Sequence, residues 1–317
     1  MRRRHGGRIS SLAAPKGCRD DPHGNTALNA TTNANPAPAR PRPRRTVPFR
    51  TAAALLAAAL SACTAPLPGL GPEANRVPVD VGTAPWRSLG LVETAAGGRC
   101  TGALVSPGTV LTAAHCLIDP RTTRTVDPGS VRFTLAASPT GAAGEARARG
   151  MVTGPGFSVA PGPRPDPKAP PDSDWAVLML ERPLGSPALS LSLEAGYLPP
   201  GTPLAFGGYQ ADRDRQMVAD TGCIVSAYAR DPGGRVMLQH SCAATMGASG
   251  GPLLARRPDG GWVVAGVGSL AEGGVTGGWA VPTASIARVV LGARPQATGP
   301  APERPHPERR ELPRPGA

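Results

Sequence analysis

The order of three short strings constrains this 317-residue chain more than any other feature it has. Leu-Thr-Ala-Ala-His-Cys surrounds His115, Asp-Trp-Ala-Val-Leu opens at Asp174, and Gly-Ala-Ser-Gly-Gly-Pro surrounds Ser249. A serine hydroxyl is a poor nucleophile at neutral pH. It needs a base within hydrogen-bond reach, and that base needs a third group to hold its tautomer. The three groups recur on unrelated architectures in different chain orders, so the order His, Asp, Ser selects among them.

Not all of the chain reads as folded. Residues 1–50 are rich in Arg, Pro, Asn and Ala, and residues 294–317 are mostly Pro, Arg and Glu. Neither stretch can bury enough apolar surface to offset chain entropy, so both are expected to be disordered. About 220 residues lie between them, which fits two small barrels sharing a cleft. The net charge of +12 is concentrated at one end. Residues 1–62 hold eleven Arg or Lys against two acidic residues, and the rest holds 23 against 20. No basic stripe interleaved with aromatics runs through the part expected to fold, so nucleic acid is not an expected partner.

Residues 51–62 form an apolar run preceded by Arg44, Arg45 and Arg50. The run has signal-peptide length and is too short to span a bilayer as a stable helix. It ends in Leu60-Ser61-Ala62-Cys63, which resembles the bacterial lipobox. That resemblance implies cleavage before Cys63, a lipid on its sulfur, and residues 63–75 as a tether to the membrane. The other reading is an ordinary secretory signal, and the domain is exported under both. Because roughly fifty residues precede a run that normally begins a chain, Val47 is considered as the initiator. A peptide from residues 1–46 recovered from cells would exclude it.

Downstream, short apolar segments are bounded by Gly, Pro and Asp. They include residues 88–92, 101–105, 109–113, 131–135, 176–180, 263–267 and 279–281. This spacing predicts an all-β fold. A strand is also expected around Leu238-Gln239-His240, and one helix over 283–291. The Pro- and Gly-rich stretch 154–173 is expected as a surface loop or a substrate-gating loop. With Cys18 in the extension and Cys63 at the lipobox, Cys100, Cys116, Cys223 and Cys242 remain, and four cysteines allow three pairings. A zinc site competes with that reading, but no close Cys or His doublet supports it.

At the three strings the chain resembles the trypsin-like, chymotrypsin-fold serine peptidases, nearest to the bacterial glutamyl-endopeptidase-like branch, over about Arg76 to Arg294. The resemblance implies two six-stranded antiparallel β-barrels with the site in the cleft between them and a short C-terminal helix. It divides the chain into a first barrel at 76–195 carrying His and Asp, and a second at 196–293 carrying Ser. It implies disulfides Cys100–Cys116 and Cys223–Cys242, each closing a loop worth roughly 3 kcal/mol. It makes His115 the general base and Asp174 the group that orients it, with Asp172 as the rival two residues away. It makes Ser249 the nucleophile, with the backbone amides of Gly247 and Ser249 as the oxyanion hole. No metal or cofactor is implied, the expected substrates are proteins or peptides, and a monomer is expected.

Ser249 also fits Gly-x-Ser-x-Gly, but the α/β-hydrolase order needs Asp and His downstream, where only His306 remains. Ala248 stands where animal trypsins carry the Asp that pairs with a freed N-terminus, so no such zymogen switch is expected. The resemblance also implies a primary pocket at Ala243, Gly268 and Ser269, with Ser269 in reach of the Asp. The residue six before the nucleophile is Ala243 rather than an acid, which argues against Arg or Lys preference. His240 is expected to be structural or pocket-lining. Two other readings are a catalytically silent binding protein of the same fold and a Deg-type housekeeping protease. The disulfide after the His and the lack of room for a peptide-binding domain argue against the latter.

Overall fold

The computed structural model describes residues 67–160 and 164–290. The expected extension 1–50, the signal run 51–62, Cys63 and the tail 294–317 lie outside the described residues. Six strands close the first barrel: β1 (Leu89–Thr94), β2 (Arg99–Ser106), β3 (Thr109–Thr112), β4 (Val131–Leu135), β5 (Gly144–Thr153) and β6 (Ala176–Leu180), hydrogen-bonded in the order β1-β2-β3-β6-β5-β4 and back to β1. Six more form the second: β7 (Pro203–Tyr209), β8 (Met217–Arg230), β9 (Val236–His240), β10 (Pro252–Arg256), β11 (Trp262–Ala271) and β12 (Gly278–Pro282). Their order is β8-β7-β10-β11-β12-β9, closed by β9 on β8. Every pairing within the two rings is antiparallel. Helix α1 (Thr283–Val290) follows β12 directly.

The strands missing from the sequence reading are β5, β7, β8 and β10, and for β5 the cause is visible. In β5 the inward positions are Ala146 and Ala148, both buried, while Glu145, Arg147 and Arg149 point outward. The period-2 alternation is present, but alanine lacks the β-branched bulk that marks a strand in sequence. One buried cluster runs from Phe133, Trp175 and Leu178 of the first barrel to Tyr209, Met217 and Val264 of the second. The Tyr209 hydroxyl crosses to donate to the Ala137 carbonyl at 2.9 Å.

The structure moves the expected boundaries. Residues 77–78 pair with Ala219 and Val218 of β8, and residues 192–193 pair in parallel with Val263 and Val264 of β11. Both segments therefore belong to the second barrel, although each precedes it in sequence. The expected tether at 63–75 is likewise laid on the second barrel over its described part. The Gly69 amide donates to the Glu272 carbonyl at 2.6 Å and the Gly71 amide to Thr276 Oγ1 at 2.9 Å. Unpaired edges and loops offer backbone partners that a free tether would leave to water. The 154–173 stretch carries a two-residue ladder between 159–160 and 164–165 and a turn at Pro171–Ser173.

Both disulfides form as the resemblance implied, Cys100–Cys116 across 16 residues and Cys223–Cys242 across 19. Replacing Cys100 and Cys116 together by Ser is expected to lower stability by about 3 kcal/mol, read from the urea midpoint. A loss below about 1 kcal/mol would show that the native packing alone holds this loop.

Candidate active site

Strand β3 delivers His115. It ends at Thr112, whose hydroxyl donates to the Thr101 carbonyl at 2.8 Å, and the chain then turns through Ala114–Leu117. Ala113 and Ala114 are fully buried on either side of the turn's start, and Cys116 ties it to β2. A backbone held on three sides leaves the imidazole little freedom. The His115 amide donates to Asp174 Oδ1 at 2.9 Å, and the imidazole Nδ1 meets Asp174 Oδ2 at 2.8 Å. Against a carboxylate, which only accepts, Nδ1 must carry the proton, leaving Nε2 free as a base.

Asp174 lies between the Pro171–Ser173 turn and β6 and is 1% exposed. Ser269 of β11 donates its hydroxyl to Asp174 Oδ2. The carboxylate thus accepts three hydrogen bonds from two barrels. It is Asp174, not its rival Asp172, that holds His115. Burial pushes the Asp174 carboxyl up, but the charge of His115 and the hydrogen bonds from His115 and Ser269 prevail and hold it below the usual range. Burial pushes His115 down, and the Asp174 charge and hydrogen bond prevail to raise it above 6.5. Each partner stabilises the charged form of the other.

Ser249 sits on the loop between β9 and β10. Gly247 has φ +92°, and a Cβ there would lie 2.2 Å from the Tyr209 carbonyl oxygen; Gly250 has φ +77°. Only glycine follows this path without strain. The path leaves the amides of Gly247 and Ser249 without an acceptor among the described residues, while the Ala248 amide between them donates to Thr245. The Ser249 carbonyl accepts from the Thr101 amide at 2.9 Å, and Gly250 donates to the Gly268 carbonyl at 2.8 Å. Cys116 Sγ lies 3.9 Å from His115 Nε2 and 3.7 Å from the Ser249 carbonyl oxygen, so the imidazole and the serine share one neighbour. The disulfide sulfur has no proton to donate, so these are contacts rather than hydrogen bonds. No hydrogen bond joins the Ser249 hydroxyl to His115; such bonds are often long in ligand-free enzymes and tighten with substrate.

The surroundings of Ala243 differ from the sequence expectation. Ala243 is fully buried, and its amide donates at 2.8 Å to Oδ2 of Asp220, a buried residue of β8 whose Oδ1 accepts from Gly222 at 2.9 Å. An acid from a neighbouring strand therefore lies against the Ala243 backbone, with both its oxygens accepting backbone amides. Nothing in Ala-Asp-Thr-Gly marks Asp220 locally; only the register of β8 brings it here. A Cβ on Gly268 would lie 2.5 Å from the Phe206 ring, so that side of the residue faces a packed aromatic. His240 packs edge-on against Phe206 with centroids 5.4 Å apart, and its Nδ1 accepts from the Cys242 amide at 3.2 Å. Burial pushes its pKa down to about 4, so it is neutral with its proton on Nε2. A Cβ on Gly278 would lie 3.3 Å from that nitrogen.

Cys100, His115 and Cys116 bring their side-chain donor atoms within 4.8 Å of one another. The two sulfurs are bonded to each other, so this group has no thiolate to offer a metal.

A solved peptidase structure agrees with this architecture. Among solved structures, a Glu endopeptidase in complex with MPD superposes with a TM-score of 0.56 at 19% identity, covering 70% of this chain and 98% of that one. The protease Anisep from Arthrobacter nicotinovorans gives 0.49 at 18% identity, covering 66% and 93%. No curated protein sequence matches the chain. Residues 100–265, just over half of the chain, match the family described as a trypsin-like peptidase domain. That segment begins at the cysteine bridged to the residue after His115 and contains His115, Asp174 and Ser249. By sequence family and by its pair of closed barrels, the chain belongs to the trypsin-like peptidases.

Proposed function

We propose that the protein is an exported serine endopeptidase that cleaves peptide bonds through an acyl-enzyme. The observation that carries this reading is His115 held by the buried Asp174 carboxylate, which accepts three hydrogen bonds, together with the unpartnered amides of Gly247 and Ser249. Ser249 Oγ attacks the substrate carbonyl carbon while His115 Nε2 takes its proton. The carbonyl oxygen becomes an oxyanion held by the Gly247 and Ser249 amides, and the imidazolium is held by Asp174. Collapse expels the amine, which receives the proton from His115. Water then repeats the sequence against the ester and frees Ser249.

Two disulfides favour an oxidising compartment, as export predicts. A lipid on Cys63 would hold the enzyme at the cell envelope; a secretory signal would release it. Ala248 is buried and has no carboxylate to pair with a freed N-terminus, which favours a site assembled on folding.

A fluorophosphonate probe is expected to label the folded full chain, and a peptide library is expected to be cleaved. Folded protein that resists the probe would return the reading to a silent binder. The pH profile follows from His115. Catalysis needs the neutral imidazole, so kcat/KM is expected to fall about tenfold per pH unit on an acid limb whose apparent pKa lies above 6.5. Stability runs the other way. The raised His115 contributes fully below 6.5 and its contribution fades as pH rises through its folded pKa. The lowered Asp174 contributes above 3.8 and fades as pH falls through its folded pKa. The pair therefore stabilises the fold most between these two values, which lie on the acid limb where activity is already falling.

A further inference from the structure

We propose that Arg76, on the segment leading into the first barrel, is a positioning residue for the oxyanion amides. The proposal rests on the serine-peptidase reading and adds a residue remote from the triad.

The segment from Leu67 to Val79 lies along the loops that build the site. Gly69 bonds to Glu272, Gly71 to Thr276 beyond β11, and Val79 to the Met217 carbonyl at 3.2 Å. Between these fasteners the Arg76 side chain, 9% exposed, reaches the chain that follows β7. Its guanidinium grips Asp212 as a fork, Nη1 to Oδ1 at 3.0 Å and Nη2 to Oδ2 at 2.8 Å. Nη1 also donates to Gln210 Oε1 at 2.5 Å.

Gln210 passes the contact on. It is 1% exposed, and the same Oε1 accepts the Thr245 amide at 3.0 Å. Two donors on one oxygen leave the amide no freedom to flip. The Thr245 carbonyl in turn accepts the Ala248 amide at 3.0 Å, and the Met246 carbonyl accepts from Ala211 at 2.8 Å. The Ala248 amide is the one between the two free amides, and fixing it limits the rotation of both units, whose own carbonyls, of Met246 and Ala248, accept from Ala211 and Gly251. The path runs Arg76, Gln210, Thr245, Ala248, and ends on the peptide unit between the two that face the oxyanion.

The cost of keeping this amide is visible. Gln210 Nε2 and Thr245 Oγ1 are buried with no hydrogen-bond partner among the described residues. A leucine in place of Gln210 would remove one of those orphans. What it would also remove is Oε1, the atom that carries the Arg76 contact directly to the Thr245 amide. No carboxylate stands at Ala248 to brace the loop from beneath, so the brace arrives from the side.

The test compares the full chain with Arg76→Ala, Gln210→Met and the double variant, using labelled casein and a fluorophosphonate. Arg76→Ala is expected to lose about 10- to 100-fold in both casein kcat and probe labelling rate, a fraction of what losing one oxyanion donor costs. KM is expected to stay within about twofold, because ground-state binding does not use these amides. The acid limb keeps its pKa, since the His115–Asp174 pair is untouched. Free guanidinium ion, well below denaturing concentration, is expected to restore part of the rate. The double variant is expected to be no slower than the slower single one, because both break one path. A variant with wild-type rates overturns the proposal. So do losses that add, losses that guanidinium does not relieve, or losses that follow the unfolded fraction measured by melting. If wild-type protein itself resists the fluorophosphonate, it is the serine-peptidase reading that fails instead.

Discussion

Ser249→Ala is expected to lower kcat by about a million-fold and to abolish fluorophosphonate labelling, with the melting temperature nearly unchanged. Ser249 is only partly buried, and its hydroxyl makes no hydrogen bond among the described residues, so deleting one oxygen removes little packing. Its backbone does the structural task, through the bond from the Thr101 amide. The residual rate is expected to remain about 10³- to 10⁴-fold above water, because the two amides and the binding cleft survive. A variant keeping more than about 1% of wild-type activity would show that another group is the nucleophile.

Asp174→Asn is expected to cost about 10⁴-fold in kcat at neutral pH while the fold persists. The reason is tautomer, not charge alone. The asparagine carbonyl must stay against the His115 backbone amide, because an NH₂ there would set donor against donor. That puts the NH₂ against His115 Nδ1, which must then accept. The imidazole proton moves to Nε2, the nitrogen meant to receive the serine proton. The Ser269 hydroxyl can reverse its role and accept, so it offers no correction. Retention of full activity in Asp174→Asn, with its loss in Asp172→Asn, would reverse the assignment made here.

How legible the site was depends on how local its signals are. The strings around His115 and Ser249 are local because tight turns demand small residues at fixed offsets, and glycine at 247 and 250 leaves a mark in one dimension. β6 was legible for a similar reason, since Trp175 to Leu180 is a continuous apolar strand. β5 was not, because alanines line its inner face. Asp220 was missed because it owes its place to strand register, which sets it on the Ala243 amide 23 residues away. The Phe206 ring against Gly268 was not legible either, because the direction a strand residue faces depends on a bulge-shifted pairing between β11 and β12 that sequence does not print.

The amino-acid order by itself determined the fold class, the chain order of the reacting groups and the cysteines left to pair. These follow from spacing, composition and chemistry along the chain. Only the tertiary structure decided which carboxylate holds His115, where the segment before the first barrel lies, and that Arg76 reaches Gln210 across 134 residues. Those are contacts between distant segments. They exist only after two barrels have closed and their loops have been laid against each other, because a hydrogen bond reads distance in space and not separation in sequence.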